Sequence, residues 1–317
     1  MKKLFVVLLS LVLMLSACDT GKKEKQLKIG IVQLVEHPAL DDARIGFINQ
    51  LKKLDIDAKI DYQNAQGDIA TARIISEKFV SNNADLIYAI ATPAAQAAKA
   101  TTKDIPILFS AVTDAVGAQL VKSNNHPDGN ITGTSDEADL NNQLEIFKNL
   151  DSKIKRIGII YTADEINSLS QLKEIKKQAP KYGYEIISKS ITQISDLPQV
   201  AQAMIEKADA FYILSDNKIA SSITVLSDLL KTYKKISVSA EESQVKGGIL
   251  ISNSLSYKSL GEQTADMAKK ILIDKLDPAA IPVEHANKTH NVINNKTLEA
   301  LDINRELKII KDAKKID

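Results

Sequence analysis

One unit of sequence occurs twice, and this repeat constrains the fold more than any other feature. From Lys28 the chain reads KIGIVQLV, with Ile29, Ile31, Val32, Leu34 and Val35 interrupted only by Gly30 and Gln33. That is the pattern of a strand buried on both faces of a parallel sheet. After His37-Pro38 the period becomes helical, with Leu40, Ala43, Gly46, Phe47 and Leu51 on one stripe. Asp41 and Asp42 stand in the first turn, where the helix dipole favours anions. The second copy begins Arg156-Ile157-Gly158-Ile159-Ile160-Tyr161 and passes through a polar loop into a helical stretch from about Ser168 to Ala179. Two copies of one opening predict two similar lobes.

The rest of the chain keeps the alternation. Strands are predicted at 28–34, 58–62, 85–90, 106–109, 130–133, 156–161, 184–189, 209–214, 236–239 and 248–252, with helical stripes such as 69–82, 94–101, 140–150, 197–207, 221–233 and 260–274 between them. Such alternation implies parallel sheets covered on both faces. The expected fold is therefore α/β, with two doubly wound, Rossmann-like lobes. At 317 residues and 44% apolar content the chain can bury a core in each. Extended segments near 134–139, 250–257 and 276–284 are the expected crossings, giving a three-segment hinge. The division that follows is 27–137 plus 255–278 for the first lobe and 138–254 plus 279–317 for the second.

The first 18 residues have Lys2 and Lys3, an apolar run from Leu4 to Leu15, and then small residues, the layout of an export signal too short to span a bilayer stably. Leu15-Ser16-Ala17-Cys18 resembles the bacterial lipobox, in which the cysteine is acylated and becomes the new N-terminus; Cys18 is also the only cysteine. The expectation is a lipid-anchored protein on the extracytoplasmic face of the cell membrane, with residues 19–26 as a polar tether. The formal charge of +1, from 41 basic and 40 acidic side chains, gives no global field to attract nucleic acid.

In doubly wound sheets ligands bind beyond the carboxyl ends of the strands. The loops at those positions contain Glu36 and His37; Thr92, Pro93 and Ala94; Thr113 and Asp114; Asn167 and Ser168; and Asp216 and Asn217, with Tyr257 on a crossing segment. Each also has a purely structural reading. Asp216 and Asn217, like Asn167 and Ser168, suit a helix cap; Thr92-Pro93 suits a helix start; Glu36 and His37 suit a mutual hydrogen bond; Tyr257 suits packing.

Several ordered motifs resemble the ABC transporter substrate-binding lipoproteins whose known members bind tryptophan, tyrosine or phenylalanine. They are Val35-Glu36-His37-Pro38-Ala39-Leu40, Thr92-Pro93-Ala94-Ala95-Gln96, Phe109-Ser110-Ala111-Val112-Thr113-Asp114, Asn167-Ser168, Ser215-Asp216-Asn217 and Leu260-Gly261-Glu262-Gln263-Thr264-Ala265. The resemblance implies a type I periplasmic-binding fold, an amino acid held between the lobes, and delivery to a membrane permease driven by a separate ATPase. Leu214, Ser254 and Ser256 depart from it, standing where relatives carry Pro, Gly and Asp.

For an amino acid, the expected carboxylate donors are the helix starts near Thr92, Thr113 and Ser168, with the Asn167 and Asn217 amides. Asp216 is the first choice for the ammonium and Glu36 the second. No catalytic, cofactor or metal site is expected, because G-x-G-x-x-G, the P-loop, G-x-S-x-G and H-E-x-x-H are all absent and the four histidines lack paired spacing. The alternatives are a sensory lipoprotein presenting its ligand to a membrane receptor, and a surface adhesin or an exported enzyme with an unrecognised site.

Overall fold

A computed structural model describes residues 26–137, 139–286 and 289–317. The leader, Cys18 and all of the tether but Gln26 lie outside the described residues. Ten predicted strands are present: β1 (Leu27–Gln33), β2 (Ala58–Asn64), β3 (Leu86–Ile90), β4 (Ile107–Ser110), β5 (Ile131–Ser135), β6 (Arg156–Thr162), β7 (Glu185–Ile191), β8 (Ala210–Ile213), β9 (Ile236–Ser239) and β10 (Ile251–Ser254). Three more were not predicted: β11 (Glu284–His285), β12 (His290–Asn294) and β13 (Lys314–Ile316).

The strands form two sheets, ordered β11-β5-β4-β3-β1-β2 and β13-β12-β10-β9-β8-β6-β7. Pairing is parallel except between β10 and β12. The repeat is visible in the register. β1 lies between β2 and β3, and β6 takes the same place between β7 and β8. β3 is buried along its whole length, as its unbroken Leu-Ile-Tyr-Ala-Ile run requires.

The chain crosses between sheets three times, after β5, after β10 and after β11. The first two fall inside the expected segments. The third does not, because β11 pairs with β5 and so residues 284–285 extend the first sheet. The predicted boundary at 279 is thus displaced toward the C-terminus. With only two residues, both polar, β11 has no periodicity to read.

The helix Tyr257–Leu272 returns to the first lobe and packs on the helix Pro38–Lys53 at backbone distance. A Cβ on Gly261 would stand 1.9 Å from the Ala43 carbonyl oxygen, and one on Gly46 would stand 2.1 Å from that of Lys258. Neither position has room for any other residue. No helix among the described residues is long and apolar enough to cross a membrane.

Candidate functional site

The carboxyl ends of the two sheets face each other, and hydrogen bonds tie the loops across the gap. Ser170 Oγ donates to Asp114 Oδ2 at 2.5 Å, and His37 Nε2 lies 3.4 Å from Asn217 Oδ1. Lys246 approaches Asp42 at 3.8 Å on the rim. The lobes are closed on one another. Two alanines at this face have left-handed backbone: Ala91, just after β3, has φ 85° and ψ 152°, and Ala111, which follows β4, has φ 57°. A non-glycine residue is held in such a region only where its surroundings enforce it, most often at a binding site.

Buried side-chain atoms with no hydrogen-bond partner in the protein concentrate at this face. From the first lobe come His37 Nδ1, Thr92 Oγ1 and Asp136 Oδ1, and from the second Asn167 Oδ1, Gln171 Nε2, Ser215 Oγ, Gln244 Oε1 and Ser254 Oγ. Buried polar groups are nearly always paired, so a cluster of this kind marks where a ligand binds.

The network also decides which end of each amide is presented. Gln171 Oε1 accepts from Ser215 N at 2.9 Å, which leaves its NH2 free. Asn167 Nδ2 donates to Glu165 Oε2 and to the Ser215 carbonyl, and Gln244 Nε2 donates to the Leu214 carbonyl, so both present oxygen. No Lys or Arg is buried among the described residues. The cleft is therefore rich in acceptors and poor in cations.

Asp136 and Glu241 are the acids of the site, and the sequence reading singled out neither. Asp136 follows β5 on the first crossing, and its Oδ2 accepts from Tyr257 OH at 2.6 Å. Glu241 follows β9, and its Oε2 accepts from Ser243 Oγ at 2.9 Å. Burial pushes the Glu241 carboxyl up to about 8, with the neighbouring charge of Asp136 adding to the effect. Burial likewise raises Asp136, opposed by hydrogen bonds from Tyr257 and Thr113. An ammonium group between the lobes would relieve both acids.

The expected acids are otherwise employed. Asp216 is fully buried, and its two oxygens accept from Thr162 N, Thr162 Oγ1, Ser168 Oγ and Ile219 N at 2.6 to 3.0 Å. Four donors fill a carboxylate's capacity, so Asp216 is a helix cap and brace and has nothing left for an ammonium. Ser168 spends its hydroxyl on that brace. Glu36 is exposed and meets Tyr62 OH at 3.4 Å, so neither the ammonium role nor a bond to His37 is formed.

Asn167 Nδ2 has committed both of its N–H groups, to Glu165 Oε2 and the Ser215 carbonyl, and offers no donor to a carboxylate, whereas Asn217 Nδ2 spends one on Glu165 Oε2 at 2.6 Å and keeps the other. Ser256 caps the helix Tyr257–Leu272 by accepting from Ser259 N, a task serine performs as well as aspartate. The other carboxylate donors are Thr92, Ser215, the Gln171 amide and two helix N-termini. The helices Thr92–Lys99 and Ile166–Gln178 both lack a side-chain cap, and their first-turn N–H groups open on the cleft. Pro93 and Ala94 form the first turn of one, and Thr113 and Asp114 the adjacent wall.

The acids make closure dependent on pH. Their folded values lie above the ordinary carboxyl range, so the closed ligand-free form binds more protons than a form with the acids in water. Its stability is then fully present below that range and is lost as pH rises toward about 8, where Glu241 ionises. Binding a cationic group at pH 7 should release protons from this cluster, which comprises Asp136, Glu241 and, behind them, Glu165 and Asp216. Calorimetry in two buffers of different ionisation enthalpy measures this; proton uptake on binding would contradict it.

Two lobes joined at three crossings and closed on a polar cleft give the type I periplasmic-binding fold. The profile described as ABC transporter substrate binding protein matches residues 28–317. The chain belongs to the ABC transporter substrate-binding protein family. It is 42% identical to the tyrosine-binding protein of Clostridioides difficile strain R20291 over 297 residues, 92% of this chain and 86% of that one. A Streptococcus pneumoniae ABC domain in complex with L-Trp superposes with a TM-score of 0.89 at 33% identity, covering 92% of this chain and all of that one. The ligand-free, open structure of a Clostridium difficile substrate-binding protein with adhesive properties gives 0.71 at 38% identity, covering 92% and 99%. The better match to the liganded relative agrees with the closed cleft described above.

Proposed function

We propose that this protein captures an aromatic α-amino acid in the interlobe cleft and hands it to an ABC permease whose ATPase is a separate protein. In this reading it is not an enzyme. Cys18 anchors it by lipid to the extracytoplasmic face of the cell membrane. The observation that carries the ligand class is the closed cleft with two buried acids, further unpaired acceptors and no buried cation, which suits an ammonium. The tyrosine-binding relative and the L-Trp complex support an aromatic side chain.

Because the chain contains no tryptophan, added tryptophan can be excited alone at the red edge of absorption. Its anisotropy should rise on binding and fall again when tyrosine or phenylalanine is added, but not leucine or glutamate. No rise at high protein concentration would exclude tryptophan, and reversal by leucine would remove the aromatic assignment.

The anchor has its own test. Cys18→Ala should abolish incorporation of labelled fatty acid and release the chain from firm membrane attachment, whereas equal labelling of both forms would refute it. The adhesive properties of the 38% identical relative favour adhesion as a second role. Binding of the soluble chain to epithelial cells, unchanged by saturating tyrosine, would support that role.

A further inference from the structure

We propose that His37 selects the ligand by its far end, accepting a hydrogen bond at Nδ1 from a side-chain O–H, so that the site takes tyrosine in preference to phenylalanine. The inference rests on the reading that the ammonium lies between Asp136 and Glu241.

Its first step is a tautomer fixed by its neighbours. Glu165 Oε2 accepts from both Asn217 N at 3.0 Å and Asn217 Nδ2 at 2.6 Å. The Asn217 amide is therefore turned with Oδ1 toward His37, across the lobe boundary. An oxygen there requires an N–H opposite it, so the proton of a neutral His37 sits on Nε2 and Nδ1 carries the lone pair. Burial holds the ring neutral by lowering its pKa to about 4, against the hydrogen bond it donates to Asn217 Oδ1 and the charge of Asp41. Nδ1 is buried and unpaired, although His37 occupies the N-cap position of the helix Pro38–Lys53, where it makes no side-chain cap. An acceptor unused by its own helix and by its own lobe is available to a ligand.

The second step is a distance. His37 follows β1 and Asp136 follows β5, and the sheet order places β3 and β4 between them. Three interstrand steps span about 14 Å, and a hydrogen bond of about 2.8 Å at each end leaves roughly 8 Å, close to the ammonium-to-phenol separation of extended tyrosine. Phenylalanine satisfies the acid end and leaves His37 Nδ1 desolvated and unpaired. Sites that hydrogen-bond a hydroxyl discriminate strongly against the analogue lacking it.

The test compares tyrosine and phenylalanine by calorimetry on the wild type, His37→Leu and His37→Gln. The wild type should prefer tyrosine by ~10-fold or more, and His37→Leu should bring the two within about threefold, chiefly by weakening tyrosine. In parallel, 15N NMR of wild-type histidine should show the Nε2–H tautomer for the ring of His37, with its Nδ1 resonance moved by tyrosine and not by phenylalanine. A wild-type Nδ1–H tautomer, or an unchanged preference in a folded His37→Leu, would overturn the proposal while leaving the aromatic reading intact. Failure of every aromatic amino acid to bind the wild type would overturn both.

Discussion

Asp136→Ala should lower the affinity for the amino-acid ligand by roughly 30- to 5000-fold, the equivalent of about 2–5 kcal/mol for truncating one partner of a buried charge pair. The size follows from where the carboxylate stands. It is buried at the first crossing, Tyr257 OH occupies only one of its oxygens, and the other has no partner within the protein. Truncation leaves the incoming ammonium with Glu241 alone and removes the anchor of the Tyr257 hydroxyl. Asp136→Asn keeps the shape and the Tyr257 bond but not the charge, so it should lose most of the same affinity. Glu36→Gln, on the exposed surface, should change affinity less than twofold. Calorimetric dissociation constants for the three variants decide it, and an Asp136→Ala protein within threefold of wild type would remove the acid from the site.

Asp216→Ala should act on stability instead. The carboxylate braces the end of β6, holds Ser168 and caps the helix that starts at Asn217, through four hydrogen bonds in a fully buried place. Deleting it strands two backbone N–H groups and two hydroxyls, for an expected loss of about 3–5 kcal/mol in unfolding free energy. Denaturant unfolding measures this directly. A normal midpoint combined with a large loss of affinity would return Asp216 to the ammonium role.

These two residues show what was legible in the sequence. Parallel strands declared themselves because burial on both faces demands apolar runs, unbroken in Leu86–Ile90 and interrupted only by Gly158 between Ile157 and Ile160. The last three strands did not. Lys314–Ile316 is a three-residue edge strand with two lysines, and His290–Asn294, although paired on both sides, is polar over its first half, so neither shows an apolar run or an alternation long enough to read. Loop positions were legible too, since topology places them.

Roles within the loops were not legible. An acid between a strand and a helix has one signature whether it caps or binds, and Asp216 caps because four donors from distant segments converge on it. Asp136 sits in the polar run Asp136-Glu137-Ala138-Asp139, where nothing in the sequence distinguishes the buried acid from the exposed Glu137. Whether the Asn217 amide presents its oxygen or its NH2, the fact on which the His37 tautomer turns, is decided by a partner about 50 residues away.

The close contact of the helices Pro38–Lys53 and Tyr257–Leu272 bears on how the chain assembles. Leu260, Ala265, Met267, Ala268 and Ile271 complete a core that Ile29, Ile31 and Phe47 begin, so the N-terminal lobe cannot close until more than 200 residues have followed it. The other sheet is similarly unfinished until β12 and β13 arrive. Pairings this remote carry a loop-closure cost before they return any stability, which makes for slow folding and a late cooperative step. A chain cut after β10 would lack the closing elements of both sheets and should remain a collapsed, protease-sensitive polypeptide, even though most of its strands would already have been synthesised.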